Sequence, residues 1–241
     1  MSRSESSSTA PDYNWIFGTA EEDDVKGTVD SFTPDVFVGD SGDEKFVGFG
    51  GNDYIDGNGG NDYLLGGKGE DHVSGGSGND YLSGGLGDDF LYGGEGDDIL
   101  FDYSGNNFLN AGLGNDKLIV GDGNSTLAGG SGNDEFVFSN RLSVKTPEGI
   151  ITSNEIEIKA EVLDFNIFED KLTFDLGRDT DGDGKRDSFL ESEEQLELSF
   201  NEYGWAVYSS DEFNIEVTLK GVDQAYVDYM SNNDINIFDF T

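Results

Sequence analysis

A side chain with an oxygen donor returns at every ninth residue: Glu44, Asp53, Asp62, Asp71, Asp80, Asp89, Asp98, Asn107, Asp116, Ser125 and Asp134. Carboxylates serve either as general acids and bases or as ligands of hard cations. A catalytic pair needs two groups whose environments push their pKa values apart, whereas a strict period gives every member the same environment. The spacing therefore points to metal ligation. A hard dication that takes six or more oxygens, with main-chain carbonyls completing the shell around two carboxylates, suits calcium better than magnesium.

The elements that must position these groups are written in the same period. A nine-residue unit of the form G-G-x-G-x-D-x-U-x, with U apolar, runs without a slip through residues 39–137, which is eleven units. GGSGNDYLS at 75–83 and GGLGDDFLY at 84–92 are typical. Two degenerate units precede them, placing Asp23 and Asp35 in the same sixth position. The eighth position is apolar in all thirteen, from Val25 and Phe37 through Leu82, Leu91 and Leu100 to Phe136. One apolar residue in nine cannot bury a face, so the units must stack to make a core. The fourth position is glycine throughout the regular units, including Gly51, Gly60, Gly69, Gly78, Gly87 and Gly96, as a turn with positive φ or a close approach requires.

Nine residues fit a loop of about six followed by a strand of about three. Two units close one flattened coil, and units n and n+2 share a side about 4.8 Å apart. Sixth-position carboxylates then form two columns in which neighbours repel by roughly 3 kcal/mol at an effective dielectric near 20. Several such pairs exceed the stability of an ordinary domain, and bound cations are the obvious remedy.

The nonads resemble those of the RTX (repeats-in-toxin) family, whose repeat is a known calcium-binding β-helix signature. The resemblance implies an all-β fold: a right-handed parallel β-roll with several Ca2+ ions held between same-side turns, followed by a β-rich cap. It also implies export by a type I system with an uncleaved C-terminal signal, and folding on meeting extracellular calcium. Carried over by position, the ligands would be Asp53, Asp62, Asp71, Asp80, Asp89, Asp98, Asp116 and Asp134 with carbonyls of the loops, including those of the fourth-position glycines named above. Asp35 joins them through a longer loop. Glu44, Asn107 and Ser125 depart from the pattern, and the same-side pair Asn107 and Ser125 is expected to lack a strong site.

Beyond residue 137 the pattern changes to short alternating strands around Ile156 and Ile158, Leu172 and Phe174, Leu196 to Phe200, and Ile215 to Leu219. Residues 162–175 resemble the segment that follows the last nonad in secreted RTX proteins. A short helix is expected over 221–230 with Val222, Ala225 and Tyr229 on one face. Asp179, Asp181, Asp183, Gly184, Lys185 and Asp187 form the first nine positions of an EF-hand-like loop, with the Lys185 carbonyl as a ligand. Leu190 stands where the bidentate acid should be, so Glu191 or Glu193 would substitute. The expected division is a tail over 1–17, the β-roll over 18–138 and a cap with this loop and a secretion signal over 139–241.

Composition narrows the function classes. Of 241 residues, 51 are acidic and 13 are Lys or Arg, a net charge of -38 that excludes phosphate-neutralising nucleic-acid binding. There is no cysteine, hence no disulfide or thiolate site. No segment approaches the roughly 18 apolar residues of a membrane span, and no apolar leader opens the chain. Only 17 residues precede the first unit, and His72, the single histidine, falls on an outward position, so no enzyme is expected. The outward stripes Tyr54, His72, Phe90, Phe108 and Tyr63, Tyr81, Ile99 either shield the ladders or form a docking surface. The leading expectation is a secreted, calcium-ordered structural, assembly or interaction component at the cell surface or outside the cell. The partner classes left open are a second copy, an extracellular protein and a glycan. The alternative is a polysaccharide-binding and secretion module similar to those of alginate epimerases, and a third reading makes the chain a fragment of a longer toxin or hydrolase.

Overall fold

The computed structural model describes residues 34–140, 157–176, 196–233 and 235–238 in full, together with the backbone of the short strands Asn14–Phe17, Asp23–Lys26, Lys145–Thr146, Gly149–Ile150, Gly177–Arg178, Ser188–Phe189 and Phe238–Phe240. The fold is an almost entirely β parallel solenoid, with one helix among the described residues. Within the regular nonads the strands pair in parallel at a spacing of 18 residues, one coil apart, so that Tyr63, Tyr81, Ile99 and Lys117 lie in register on one side and Tyr54, His72, Phe90 and Phe108 on the other. This is the n, n+2 stacking that a two-unit coil demands.

Tyr54–Asp56 has the three residues expected, but most strands from Tyr63 to Leu113 are six long, as in Tyr63–Lys68 and His72–Ser77. They run from the seventh position through the third position of the next unit, because glycines at the second position adopt positive φ (Gly67, +120°; Gly76, +109°) and keep the ladder in register through the bend. The turn proper is confined to positions four to six. At the fourth position glycine is obligatory twice over: Gly78 has φ +127°, and a Cβ there would collide with the Gly60 carbonyl oxygen of the preceding coil.

The core is the eighth-position column. Phe37, Phe46, Ile55, Leu64, Val73, Leu82, Leu91, Leu100, Leu109, Leu118, Leu127 and Phe136 are all completely buried. Side-chain alternation along each strand then turns the seventh and ninth positions outward.

The parallel ladders continue past the last nonad. Ile158–Val162 pairs with the second half of Lys117–Ser131, and Ile215–Leu219 pairs with Ile158–Val162. On the opposite side Lys171–Asp175 pairs with Glu135–Ser139, and Phe238–Phe240 with Lys171–Asp175. Val162 and Leu219 extend one core column, Leu172 the other. The antiparallel strands Glu197–Phe200 and Ala206–Ser210 then bring their sheet to a close beside Ile215–Leu219. The helix spans Gln224–Asn232, capped by Asp223, whose side chain accepts the N–H groups of Ala225 and Tyr226. Its buried residues are Val227 and Met230. Ala225 and Tyr229, expected on the packed face, are exposed; Val222, the third member of that expected face, is buried but lies ahead of the helix, and within it the i, i+3 pair Val227 and Met230 turns inward.

Candidate metal centre

The sixth-position residues form two vertical ladders. In each, one carboxylate oxygen of a residue accepts the main-chain N–H of its counterpart 18 residues earlier. One column runs Asp35 N–H to Asp53 Oδ1 (2.8 Å), Asp53 to Asp71 (2.8 Å), Asp71 to Asp89 (2.7 Å) and Asp89 to Asn107 (2.9 Å). The other runs Glu44 to Asp62 (2.7 Å), Asp62 to Asp80 (2.8 Å), Asp80 to Asp98 (2.8 Å), Asp98 to Asp116 (2.7 Å) and Asp116 to Asp134 (3.0 Å).

The second oxygen of each carboxylate is the informative one. Oδ2 of Asp53, Asp62, Asp71, Asp80, Asp89, Asp98, Asp116 and Asp134 is buried and receives no hydrogen bond. A buried charged oxygen without a partner is costly. The ladder itself does not require it, since Asn107 holds Asp89 N–H equally well with an amide. The surplus negative oxygens therefore call for a positive partner.

These oxygens converge on the first-position glycines. A Cβ built on Gly48 would collide with Asp53 Oδ2 and lie 2.5 Å from the Gly66 carbonyl oxygen. At Gly57 the pair is Asp62 Oδ2 and Gly75 O (2.7 Å), and at Gly93 it is Asp98 Oδ2 and Ala111 O (2.5 Å). Each glycine thus leaves a cradle lined by a carboxylate oxygen and a carbonyl oxygen of the next coil, which fits a hard cation with mixed oxygen ligands. Among the described residues no three acidic or histidine side chains gather at one point, so any ion held here draws on main-chain oxygens as well.

Burial pushes these carboxyls upward, against the pull of the ladder N–H bonds. Asp53, Asp62, Asp80, Asp89 and Asp116 rise from 3.8 to about 6, Asp98 to about 7 and Asp71 to about 8. Neighbouring acids of the same column add to the rise of Asp71 and Asp98. Negative charge is thus poorly tolerated in these columns until something neutralises it.

The expected ligands Asp35, Asp53, Asp62, Asp71, Asp80, Asp89, Asp98, Asp116 and Asp134 all lie buried in the two columns. The carbonyls of the fourth-position glycines are placed differently. Those of Gly51, Gly60, Gly69, Gly78, Gly87 and Gly96 point at the fourth-position glycine of the next coil, and in the cradles of Gly48, Gly57 and Gly93 the carbonyl beside Oδ2 is that of the first-position residue one coil on. Asp179, Asp181, Asp183, Lys185 and Asp187 lie outside the described residues. His72 projects outward and stacks on Tyr54 (5.3 Å between ring centroids) and against Tyr92 (5.2 Å).

Three features escaped the sequence reading. Asp134 is not the end of its column, because its N–H donates to Asp170 Oδ1 (3.1 Å). Asp170 differs from the nonad acids in having its other oxygen satisfied, by the N–H of Asn166 (2.7 Å). The D-x-U spacing of Asp170, Lys171 and Leu172 was the available signal. Secondly, the fifth positions form a ladder of opposite sense: Asn61 Oδ1 accepts Asn79 N–H (2.9 Å), Asn79 Oδ1 accepts Asp97 N–H (2.9 Å), and Asp97 Oδ1 accepts Asn115 N–H (2.8 Å). The Asn or Asp before every sixth position of the regular units except Asp71, which follows Glu70, encodes it. Thirdly, Asp102 occupies a first position and is completely buried.

Comparison with known proteins agrees with this geometry. Residues 38–73, 65–100 and 101–136 match the family model described as RTX calcium-binding nonapeptide repeat (4 copies). Comparison with curated protein sequences gives no match. Among solved structures, the chain is similar to the AlgE6R3 subunit of the Azotobacter vinelandii mannuronan C5-epimerase, at 24% identity and a TM-score of 0.24 over 66% of this chain and 78% of that one. It is also similar to the extracellular lipase LipA of Serratia marcescens, at 16% identity and a TM-score of 0.29 over 91% of this chain and 39% of that one. At these scores neither likeness bears on function. The family match, the nine-residue period and the coil geometry agree on one identity for the solenoid: residues 38–136 are a run of RTX calcium-binding nonapeptide repeats.

Proposed function

We propose that the chain is a secreted calcium-binding β-roll protein that orders on meeting calcium outside the cell and acts as a structural, assembly or interaction component, without catalysis of its own. The observation that carries this reading is the stack of buried Oδ2 atoms that no hydrogen bond satisfies, all but that of Asp116, whose unit opens with Ala111, beside a first-position glycine cradle.

The residues that would hold calcium are Asp53, Asp62, Asp71, Asp80, Asp89, Asp98, Asp116 and Asp134, with first-position carbonyls such as those of Gly66, Gly75 and Ala111. Bound calcium supplies positive charge that the columns lack. The ladder bonds orient each carboxylate by fixing Oδ1, the first-position glycines leave room for an ion, and the eighth-position column keeps water out behind them. Low external affinity, roughly 10⁻⁴ to 10⁻³ M for extracellular calcium modules, would leave the chain unfolded at cytosolic calcium and competent for type I export.

The test is far-UV circular dichroism during a calcium titration, with magnesium as control and light scattering recorded in parallel. A cooperative rise in β signal with calcium alone is expected. Scattering that rises with it favours assembly, whereas a soluble monomer retained on a polysaccharide column favours the glycan module. A β signal indifferent to calcium, in protein shown by elemental analysis to be metal-free, overturns the reading.

A further inference from the structure

Asp102 breaks the repeat at a position where the regular unit has glycine. Its side chain is completely buried, and its Oδ2 receives no hydrogen bond. It reaches back one coil into the cradle of Gly84: a Cβ on Gly84 would collide with Asp102 Oδ2 and lie 2.5 Å from Asp89 Oδ2. In the cradles of Gly48, Gly57 and Gly93 the oxygen opposite the sixth-position carboxylate is a main-chain carbonyl. Here it is a second carboxylate.

The location gives this substitution its meaning. Gly84 heads the last unit of its column with a sixth-position acid, since Asn107 and Ser125 follow Asp89. In the regular part of each column an acid is followed one coil on by another acid, as Asp53 by Asp71 and Asp62 by Asp80. At the Gly84 cradle the next member is Asn107, which keeps the ladder bond and brings no charge. Asp102, from the same unit as Asn107, brings a carboxylate from the first position to a cradle whose next sixth-position neighbour carries none. The same Asp102 side chain takes up the space where its own unit would have a glycine cradle, and in that unit the sixth-position acid is absent.

We propose that Asp102 is a side-chain ligand of a divalent cation, calcium, which it holds together with Asp89 in the Gly84 cradle and which ends the ion column on that side of the roll. The inference rests on the calcium reading above and adds a ligand outside the repeat pattern. Two carboxylate oxygens facing one point with no donor between them form a site for a dication, and a buried unpaired pair is otherwise unfavourable.

The experiment uses the full chain and calcium itself, with isothermal titration calorimetry for affinity and elemental analysis after desalting for the number of ions. Asp102→Gly restores the residue that the repeat has at Gly84 and Gly93, and Asp102→Asn keeps the shape while removing the charge. Both variants are expected to reach the wild-type β signal at saturating calcium and to bind one ion at least about tenfold more weakly, as loss of one ligand charge implies. Asn107→Asp placed in the Asp102→Gly background should recover part of that loss by returning the acid to the sixth position. Unchanged ion number and affinity in both Asp102 variants, or tighter binding in either, would overturn the proposal while leaving the calcium reading intact. A wild-type chain that binds no calcium would overturn both.

Discussion

Acid should partly replace calcium. In the metal-free fold seven sixth-position carboxyls, those of Asp53, Asp62, Asp71, Asp80, Asp89, Asp98 and Asp116, sit at about 6 to 8 in place of 3.8, chiefly through burial. A group whose folded pKa is raised favours the folded state while it is protonated. Between pH 4 and 8 the fold therefore holds more protons than the unfolded chain, and its stability falls as pH rises through that window. Raising one carboxyl from 3.8 to about 6 costs roughly 3 kcal/mol once the pH is above both values. Discounted two- to threefold for relaxation and solvent screening, seven such groups cost about 7 to 10 kcal/mol, the whole stability of an ordinary domain. We expect chelated protein at pH 8 to lack the β signal, to regain part of it near pH 5, and to show little pH dependence over the same range in saturating calcium. The assay is far-UV circular dichroism with thermal melting at half-unit pH steps, each sample checked for residual metal. Equal melting temperatures at pH 5 and pH 8 in metal-free protein would refute the argument that buried carboxylate charge is what opposes the fold.

Four variants probe the remaining parts. Asp80→Asn keeps the acceptor for Asp62 N–H and removes one buried charge, so metal-free stability should rise while the calcium midpoint moves to higher concentration; a midpoint that stays or falls contradicts the role given to Oδ2. Gly78→Ala forces a Cβ onto the Gly60 carbonyl at φ +127° and should disrupt a coil by several kcal/mol, so that saturating calcium no longer yields the wild-type melting temperature. Leu91→Ala removes a completely buried side chain and should cost about 2 to 5 kcal/mol in calcium-loaded protein by denaturant titration. The pair Asp181→Ala and Asp183→Ala should lower the number of bound ions while leaving the calcium transition of the nonads in place; collapse of that transition would join the two regions into one folding unit.

The nine-residue period made the coil legible from the residues alone. The apolar eighth position fixed which side faces inward, and the invariant fourth-position glycine marked the turn. Stacking by 18 residues followed from those two facts, and so did the two Asp columns. The cradle was not legible at the same level. Which carbonyl lies beside each Oδ2 depends on where the strand bends, and the positive φ at second-position glycines shifts the strand three residues into the next unit. Asp170 was hidden because its unit has lost the glycines while keeping the D-x-U spacing. Asp102 was hidden for the opposite reason: its unit keeps the period, and only the three-dimensional path shows that a first-position side chain turns into the neighbouring coil. The helix face was misjudged because Val222, taken as part of the stripe, precedes the Asp223 cap, and within the helix two stripes, Ala225 with Tyr229 and Val227 with Met230, compete on nearly equal apolar terms.

The most direct test of the account is a crystal structure of the calcium-loaded chain with anomalous difference density collected to locate the ions. The account predicts calcium peaks inside the roll at the first-position cradles, among them those of Gly48, Gly57, Gly75, Gly84 and Gly93, each touching a sixth-position Oδ2. Peaks confined to the outer acidic surface, with the Oδ2 columns left bare, would contradict it.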